Sequence, residues 1–494
     1  MSSFHLLLEG FQSLLDPYVI ITMIAAVAIG IIVGALPGLT ATMGVALLLP
    51  VTFGMPPSIG LLLLLGVYFG GIYGGSITAI LLKTPGTPAA AAIAQDGYEL
   101  TKKGLGSKAI SIATMSSFFG GMLSIVALVL LAPQLAEIGL KFSLAETFAL
   151  AVFGLTIIAS ISGENMIKGL ISGVAGLLVA SIGMDPVAGT PRFTFGQVEL
   201  LNGFALIPVM IGLFAASEAF HLIEQWVKSE RISVKQTRQF PKFKELARFL
   251  PTWIRSSFIG VFLGIVPGAG GDIAAFVSYN EAKRWSKNKE EFGKGSLKGI
   301  AASESAANGS TGGALVPMLT LGIPGDAITA VMLGAFMIQG LQPGPLLFQN
   351  NGPLVYTLFA GMFVCYFLLL ILGLSSVRFF AYVAQIPKAV LIPIILVLCV
   401  IGSYAINNSF FDVIVMLAAG CIGYGMQKYG FPASPVLLAL ILGPMAESAF
   451  RRALIMNQGS YDIFFTRPIS LTFLILAFLA LAAPIARTVI RSRK

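Results

Sequence analysis

The sequence predicts an all-α polytopic membrane protein, and three observations carry that prediction. Of 494 residues, 56% are hydrophobic and 11% charged, with a mean hydropathy of +0.89, whereas a soluble domain carries charge on roughly a quarter of its residues. Apolar stretches near spanning length recur along the chain, at 18–36, 58–82, 108–132, 143–162, 166–184, 200–220, 353–374, 389–406, 410–427 and 469–490. With the shorter apolar arms between them they make about 11–12 hydrophobic segments. The third observation is a duplication: GIIVGALPG at Gly30–Gly38 returns as GVFLGIVPG at Gly260–Gly268. With 55 Gly and 26 Pro in the chain, a chance second match is expected only about 0.03 times, so the chain reads as two repeats.

The opening MSSFHLLLEGFQSLLDP lacks Lys and Arg and has no small-residue cleavage site, which argues against a secretory signal. Phe4, Leu7, Leu8, Phe11, Leu14 and Leu15 recur there at helical spacing and predict a short helix lying on the membrane surface. The first repeated phrase then breaks the segment 18–55, and the span 58–82 follows it. A second kind of break comes next, YGGSITAILLKTPGTPA around Pro85 and Gly86. Its counterpart is STGGALVPMLTLGIPGDA around Pro324 and Gly325, and each has a Gly pair ten or eleven residues upstream.

The net charge of +9 is concentrated in loops. Eight Lys or Arg against two acids lie in 228–255, and six against three in 281–298; positive loops stay in the cytoplasm. Lys102, Lys103 and Lys108 mark a further inner loop, and Arg487, Arg491, Arg493 and Lys494 an inner C-terminus. Four spans between 108 and 220 return the chain to the same side, in agreement with those charges. No aromatic platforms interleave the basic residues, so the expected surroundings are lipid and not nucleic acid.

Both flanks of 253–280 are basic, yet one hydrophobic unit lies between them, which predicts a re-entrant hairpin turning at Pro267 and Gly268. Its first arm of about 14 residues would reach roughly 21 Å, short of the hydrocarbon core. The equivalent unit, 18–55, starts from a flank without basic residues, so its hairpin is expected to open outward. The two repeats, 1–227 and 253–494, joined by a basic cytoplasmic linker at 228–252, then form one transport domain of inverted topology.

Chemistry is expected at the four breaks. A single Pro-Gly in a membrane helix is commonly a kink, because neighbours satisfy the freed backbone groups. Four at matched positions in two halves point to binding. Proline removes a donor, glycine lets the backbone turn, and the restarting helix presents unpaired N–H groups with partial positive charge. Such ends hold anions without Lys or Arg, and apart from Lys83 the breaks contain no basic residue.

VGALPGLTATMGVALLLPVTFGMPP at 33–57, GIVPGAGGDIAAFVSYNEAKRWSK at 264–287 and FGKGSLKGIAASESAANGSTGGALVPMLTLGIPGDAITAVMLGAFMIQGLQPGP at 292–345 carry a resemblance. They resemble the large membrane subunit of the tripartite tricarboxylate transporter family, through both halves of the chain. The resemblance implies a bacterial inner-membrane protein working with a small membrane subunit and a periplasmic solute-binding protein. It implies cation-coupled uptake of a small carboxylate, such as citrate or another di- or tricarboxylate, with Na⁺ or H⁺ as coupling ion and no other cofactor. Carried over by position, its binding region falls on Pro37, Gly38, Thr40 and Thr42, on Pro85, Gly86 and Thr87, on Pro267, Gly268 and Gly270, and on Asn308, Pro324 and Gly325.

This chain departs from that family where Ser or Thr is usual and it has Asp272 and Asp326, and where two Asn are usual and it has Ala307 and Asn308. Counted from each Pro-Gly, Asp272 corresponds to Thr42 and Asp326 to Thr87. Each Asp has two readings, a cap on the restarting helix or a functional intramembrane acid. As functional groups they suit Na⁺ ligation, with Asp272 and Asn308 as candidate ligands, proton coupling, or a solute bearing a cationic group; Asp326 then joins the substrate site. Glu304 lies in the hydroxyl-rich ASESAANGST, whereas Glu146, Glu164, Glu218 and Glu447 fall near segment ends where solvation is expected. Asn308 and Thr311 fit helix-packing contacts equally well. Cys365, Cys399 and Cys421 show no ligand-like spacing.

Two other classes compete. An intramembrane aspartyl protease would use Gly-x-Gly-Asp, but Ala269 and Ile323 stand where glycine is needed, so an enzyme is not expected. A channel with re-entrant loops is separated poorly by sequence, although it needs no delivered solute.

Overall fold

The computed structural model describes residues 3–36, 38–161, 166–224, 243–268, 270–375, 379, 386 and 388–492. Residues 228–242 of the linker expected at 228–252 fall outside this set. In chain order the helices are α1 (Ser3–Ser13), α2 (Pro17–Ala35), α3 (Ala41–Leu48), α4 (Pro57–Leu82), α5 (Ala91–Lys102), α6 (Gly106–Gly139), α7 (Leu144–Ile161) and α8 (Met166–Ala180). There follow α9 (Leu206–Glu224), α10 (Leu250–Ile265), α11 (Gly270–Arg284), α12 (Leu297–Leu321), α13 (Ala327–Ile338) and α14 (Gly352–Ser375). The chain ends on α15 (Lys388–Asn407), α16 (Phe410–Lys428), α17 (Ser434–Met456) and α18 (Pro468–Ser492). Among the described residues, seven helices are long and apolar enough to cross a membrane: α2, α4, α6, α9, α14, α15 from Ala389, and α16. The broken segments supply shorter apolar helices, among them α10 and α13. This is a multi-pass, all-α membrane protein.

The chain divides into two compact units, each drawing on both halves of the sequence: 1–136 with 221–398, and 137–220 with 399–494. In the first unit the same order of elements occurs twice. A helix meets a Pro-Gly turn, a shorter helix returns, a long helix follows, and a second Pro-Gly turn leads to a short helix. These are α2, α3, α4 and α5 in one copy and α10, α11, α12 and α13 in the other.

Packing within the two copies keeps one register. Gly34 of α2 packs against Gly71 of α4, and Gly264 of α10 against Ser310 of α12. Gly74 meets the Ile31 carbonyl as Gly313 meets that of Val261, and Ala41 meets Gly71 as Gly271 meets Ser310. The first and returning helices correspond at an offset of 230 positions, and the long helices at 239. Backbones approach this closely only where side chains are small, which is why glycine recurs at the crossing. Each long helix also ends on a left-handed residue at the corresponding place, Lys83 (φ 58°) and Gly322 (φ 72°).

α11 runs back along α12: Gly271 lies by Ala307 and Ser310, the Ser278 hydroxyl donates to the Ala302 carbonyl (3.0 Å), and Tyr279 lies beside Gly299. The turn before α11 is therefore level with the middle of α12. At 16 residues α10 spans about 24 Å, slightly more than the arm expected from sequence. The corresponding long helices of the two copies, α4 and α12, meet antiparallel, with Tyr68 near Asp326 beyond the end of α12 and Ser76 on Glu304 within it. Asp96 on α5 ties the copies together again. Its carboxylate accepts from the backbone N–H of Gly293 (2.7 Å), Gly295 (2.8 Å) and Ser296 (3.0 Å), and from the Tyr279 hydroxyl (2.7 Å).

α1 is a helix as expected, with Phe4 and Leu8 exposed and Gly10 seated on the Tyr356 backbone of α14; α1 ends at Ser13, before Leu14 and Leu15. In the second unit α7 packs on α17 and α18, around Ala145, Ala453 and Phe464. One of two acids there corrects the expectation of solvated positions. Glu146 is buried and paired with Arg467 (2.7 Å), and Glu447 accepts a bidentate Arg192 (2.6 and 3.1 Å). Glu146 lies where a carboxylate leaving water needs a charged partner, whereas Glu447, 30% exposed, keeps contact with solvent. Glu218 accepts from Gln427, and Glu164 lies outside the described residues. Asp185, in the loop after α8, accepts the N–H groups of Ala188 (2.7 Å) and Val187 (2.8 Å) and pairs with Arg451; the two backbone bonds first, and then the guanidinium, hold its carboxyl well below the usual range.

Candidate substrate site at the helix breaks

Corresponding breaks of the two copies share backbone geometry. At the first turn of each copy the chain needs a left-handed backbone, supplied by Gly38 (φ 90°) and Gly268 (φ 86°). An L side chain there costs about 1–2 kcal/mol. Thr40 then caps α3 by accepting from the Met43 N–H (3.2 Å), and Thr42 lies half-buried in its first turn. Pro37 lies outside the described residues. In the second copy Gly270 (φ 52°) opens α11, and Asp272 sits in its first turn.

The second break of each copy is wedged against the first. A Cβ on Gly86 would meet the Gly75 Cα at 2.8 Å as well as the Gly34 carbonyl, and one on Gly325 would meet the Ala314 Cα at 2.7 Å and the Gly264 carbonyl at 2.9 Å. Pro85 is exposed and Pro324 buried. Thr87 accepts from the Ala90 N–H (3.3 Å), and Asp326, at the corresponding place, accepts from the Thr329 N–H (2.8 Å). Asp326 is thus the N-cap of α13, completed by the Thr329 hydroxyl accepting from the Asp326 N–H (2.9 Å). Its other oxygen accepts from the Tyr68 hydroxyl of α4 (3.2 Å).

Three of the breaks meet. The Gly268 N–H donates to the Gly325 carbonyl (2.7 Å), and Gly270 lies against the Asp326 Cβ. Asp272 faces the Ala89 N–H just past the Pro85–Gly86 break and stands close enough to Asp326 for the two carboxylates to repel. α3 packs on α13, which brings the remaining break to the same neighbourhood. Asn308 is elsewhere. Its amide donates to the Glu304 carbonyl (3.1 Å), and its side-chain oxygen faces the Tyr366 hydroxyl (3.4 Å). Tyr68 carried no motif; its one signal in the sequence is a phenol in a largely apolar helix, a signal it shares with Tyr73, where a buried hydroxyl needs a partner.

This arrangement brings helix N-termini together with two carboxylates beside them, and Lys83, at the Pro85–Gly86 break, is the one basic residue within the breaks. Comparison with known proteins says what kind of protein carries it. Residues 20–438 match the tripartite tricarboxylate transporter TctA family. The chain is 37% identical over 467 residues to an uncharacterised 52.8 kDa protein of Agrobacterium vitis from the TAR-I ttuC' 3' region, covering 94% of this chain and 93% of that one. A second protein of Agrobacterium vitis, from the TAR-II ttuC' 3' region, is 39% identical over 215 residues, 44% of this chain and 89% of its own. No solved structure matches. A family of this kind transports carboxylates and is tripartite, its membrane protein working with a small membrane subunit and a periplasmic binding protein. The chain belongs to the tripartite tricarboxylate transporter TctA family and is a transporter, not an enzyme.

Proposed function

We propose that the chain performs secondary active, cation-coupled import of a small di- or tricarboxylate handed over by a periplasmic binding protein, in a bacterial inner membrane with its C-terminus in the cytoplasm. The observation that carries this reading is the convergence of Gly268, Gly270, Gly325, Asp326 and the chain after Gly86 in one neighbourhood. The restarting N-termini of α3, α11 and α13 hold the solute carboxylates, and Thr40, Thr42 and Thr87 add hydroxyls. Na⁺ sits by Asp272, where it also screens the repulsion between Asp272 and Asp326. Asn308, engaged with Tyr366, supports helix packing better than it supports that cation. The antiparallel meeting of α4 and α12 favours repeats of inverted topology, with one hairpin opening to each side.

The test uses the chain with its small subunit in liposomes and binding protein loaded with labelled citrate or succinate. Uptake is expected to follow an inward Na⁺ gradient. Uptake unchanged when the Na⁺ and proton gradients are both collapsed overturns coupled transport. For topology, Asn288→Cys, at an exposed position after α11, is expected to react with an impermeant thiol reagent only in opened cells. Reaction in intact cells excludes the inverted arrangement.

A further inference from the structure

Away from the breaks, α12 carries one carboxylate in its interior. Glu304 is 2% exposed, on a helix buried almost without interruption from Gly299 to Thr320. One oxygen accepts from the Ser76 hydroxyl of α4 and the other from the Ser117 hydroxyl of α6 (2.9 Å). No ion pair reaches it among the described residues. The titratable groups facing it are Tyr73 on α4 and Tyr366 on α14, whose hydroxyls are engaged by Thr114 (2.7 Å) and Thr311 (2.8 Å). Asp96 and Tyr279 lie at the first turn of α12, and Asp272 and Asp326 at the breaks beside its middle and beyond its last turn. Lys298 on α12 and Lys108 on α6 stand at the ends of their helices, and among the described residues no cationic side chain pairs with Glu304.

A carboxylate taken from water without a counter-charge costs several kcal/mol, and two hydroxyl bonds offset only part of that. A single positive charge must therefore accompany it. A hard metal cation needs about six oxygens, whereas Glu304, Ser76 and Ser117 offer four, and α4, α6 and α12 are unbroken here, so their carbonyls stay in the helical ladder. A proton needs one oxygen. We infer that Glu304 is a proton-binding site of the transporter, taking up a proton on one carboxylate oxygen and releasing it when the site opens to the other side. The site is separate from the solute site at the breaks; only its part in uptake rests on the transport reading.

Infrared spectra of the purified full chain, recorded from acid to alkaline pH, read the site directly. A protonated-carboxyl band that Glu304→Gln removes is expected, and the isosteric Gln keeps partners for both serines. In liposomes, the stimulation of uptake by an inward proton gradient is expected to vanish in Glu304→Gln, the ratio of uptake with and without the gradient falling to unity. A band unaltered by the substitution, or a wild-type gradient response in the variant, overturns the inference. Should Glu304→Gln fail to insert, Ser117→Ala leaves the carboxyl in place and is expected to shift the band's frequency; no shift overturns the inference equally. If the wild type moves no carboxylate, the transport reading fails while the infrared result still decides the site.

Discussion

The two helix–turn–helix stretches of the first unit, 17–102 and 250–338, pack in one register but carry different chemistry. Gly34 and Gly264, Gly86 and Gly325, Thr87 and Asp326 occupy matched places. At those places the first copy is neutral and the second acidic, with Asp272 for Thr42 and Asp326 for Thr87, and Leu65 stands where the second copy has Glu304. Helix crossing demands small residues and turn geometry, so both copies retain them. Charge is costly in a membrane interior, and one copy suffices to bring it to a shared neighbourhood. The comparison separates what a duplicated scaffold needs from what a single site needs.

The largest expected effect tests the shared part. Gly268→Leu puts an L side chain at φ 86°, a strain of about 1–2 kcal/mol at the residue whose N–H holds Gly325. Uptake in liposomes at matched protein levels is expected to fall by more than about tenfold, since about 1.4 kcal/mol is one decade. Gly38→Leu, at φ 90°, is expected to fall as far. Near-normal uptake in either one would break the equivalence of the two turns.

The acidic part is tested next by Asp272→Asn, which keeps shape and removes charge. The Na⁺ concentration for half-maximal uptake is expected to rise about tenfold, as when a hard cation loses one anionic oxygen. An unchanged Na⁺ dependence would leave Asp272 no more than the counterpart of Thr42.

Asp326 sharpens the comparison with the smallest change. As the N-cap of α13 it can be replaced by Asn with little effect, whereas Asp326→Ala is expected to lower stability by about 1 kcal/mol, seen as an earlier thermal transition. Asp326→Thr recreates the first copy's residue, and its hydroxyl is expected to recover most of that loss. If Asn impairs Na⁺ dependence as strongly as Asp272→Asn does, Asp326 is a ligand and the two carboxylates act together.

Much of this was legible in the residues. The broken phrases located both hairpins, because Pro and Gly act locally and their spacing survives translation into helices. The paired positions of Thr42 with Asp272 and of Thr87 with Asp326 followed from counting outward from each Pro-Gly. Asp326 as a cap was open in the sequence and is settled by its bonds to Thr329. The engagement of Asn308 with Tyr366, the phenol of Tyr68 on Asp326, and the pairing of Glu146 with Arg467 were not legible, because each joins residues far apart in the chain.

The sequence by itself determined the class, the duplication and the places where helices break, since hydropathy, repeat phrases and Pro-Gly turns are properties of contiguous residues. The tertiary structure decided which faces of those helices meet. A helix rotates by about 100° per residue, so Ala307 packs on Gly271 while its neighbour Asn308 turns to Tyr366, and Ser76 and Ser117 come to Glu304 from two other helices. Whether a buried carboxylate gains a cationic partner, as Glu146 does, or only hydroxyls, as Glu304 does, depends on that rotation and on which helices pack together, and no local spacing in the chain records either.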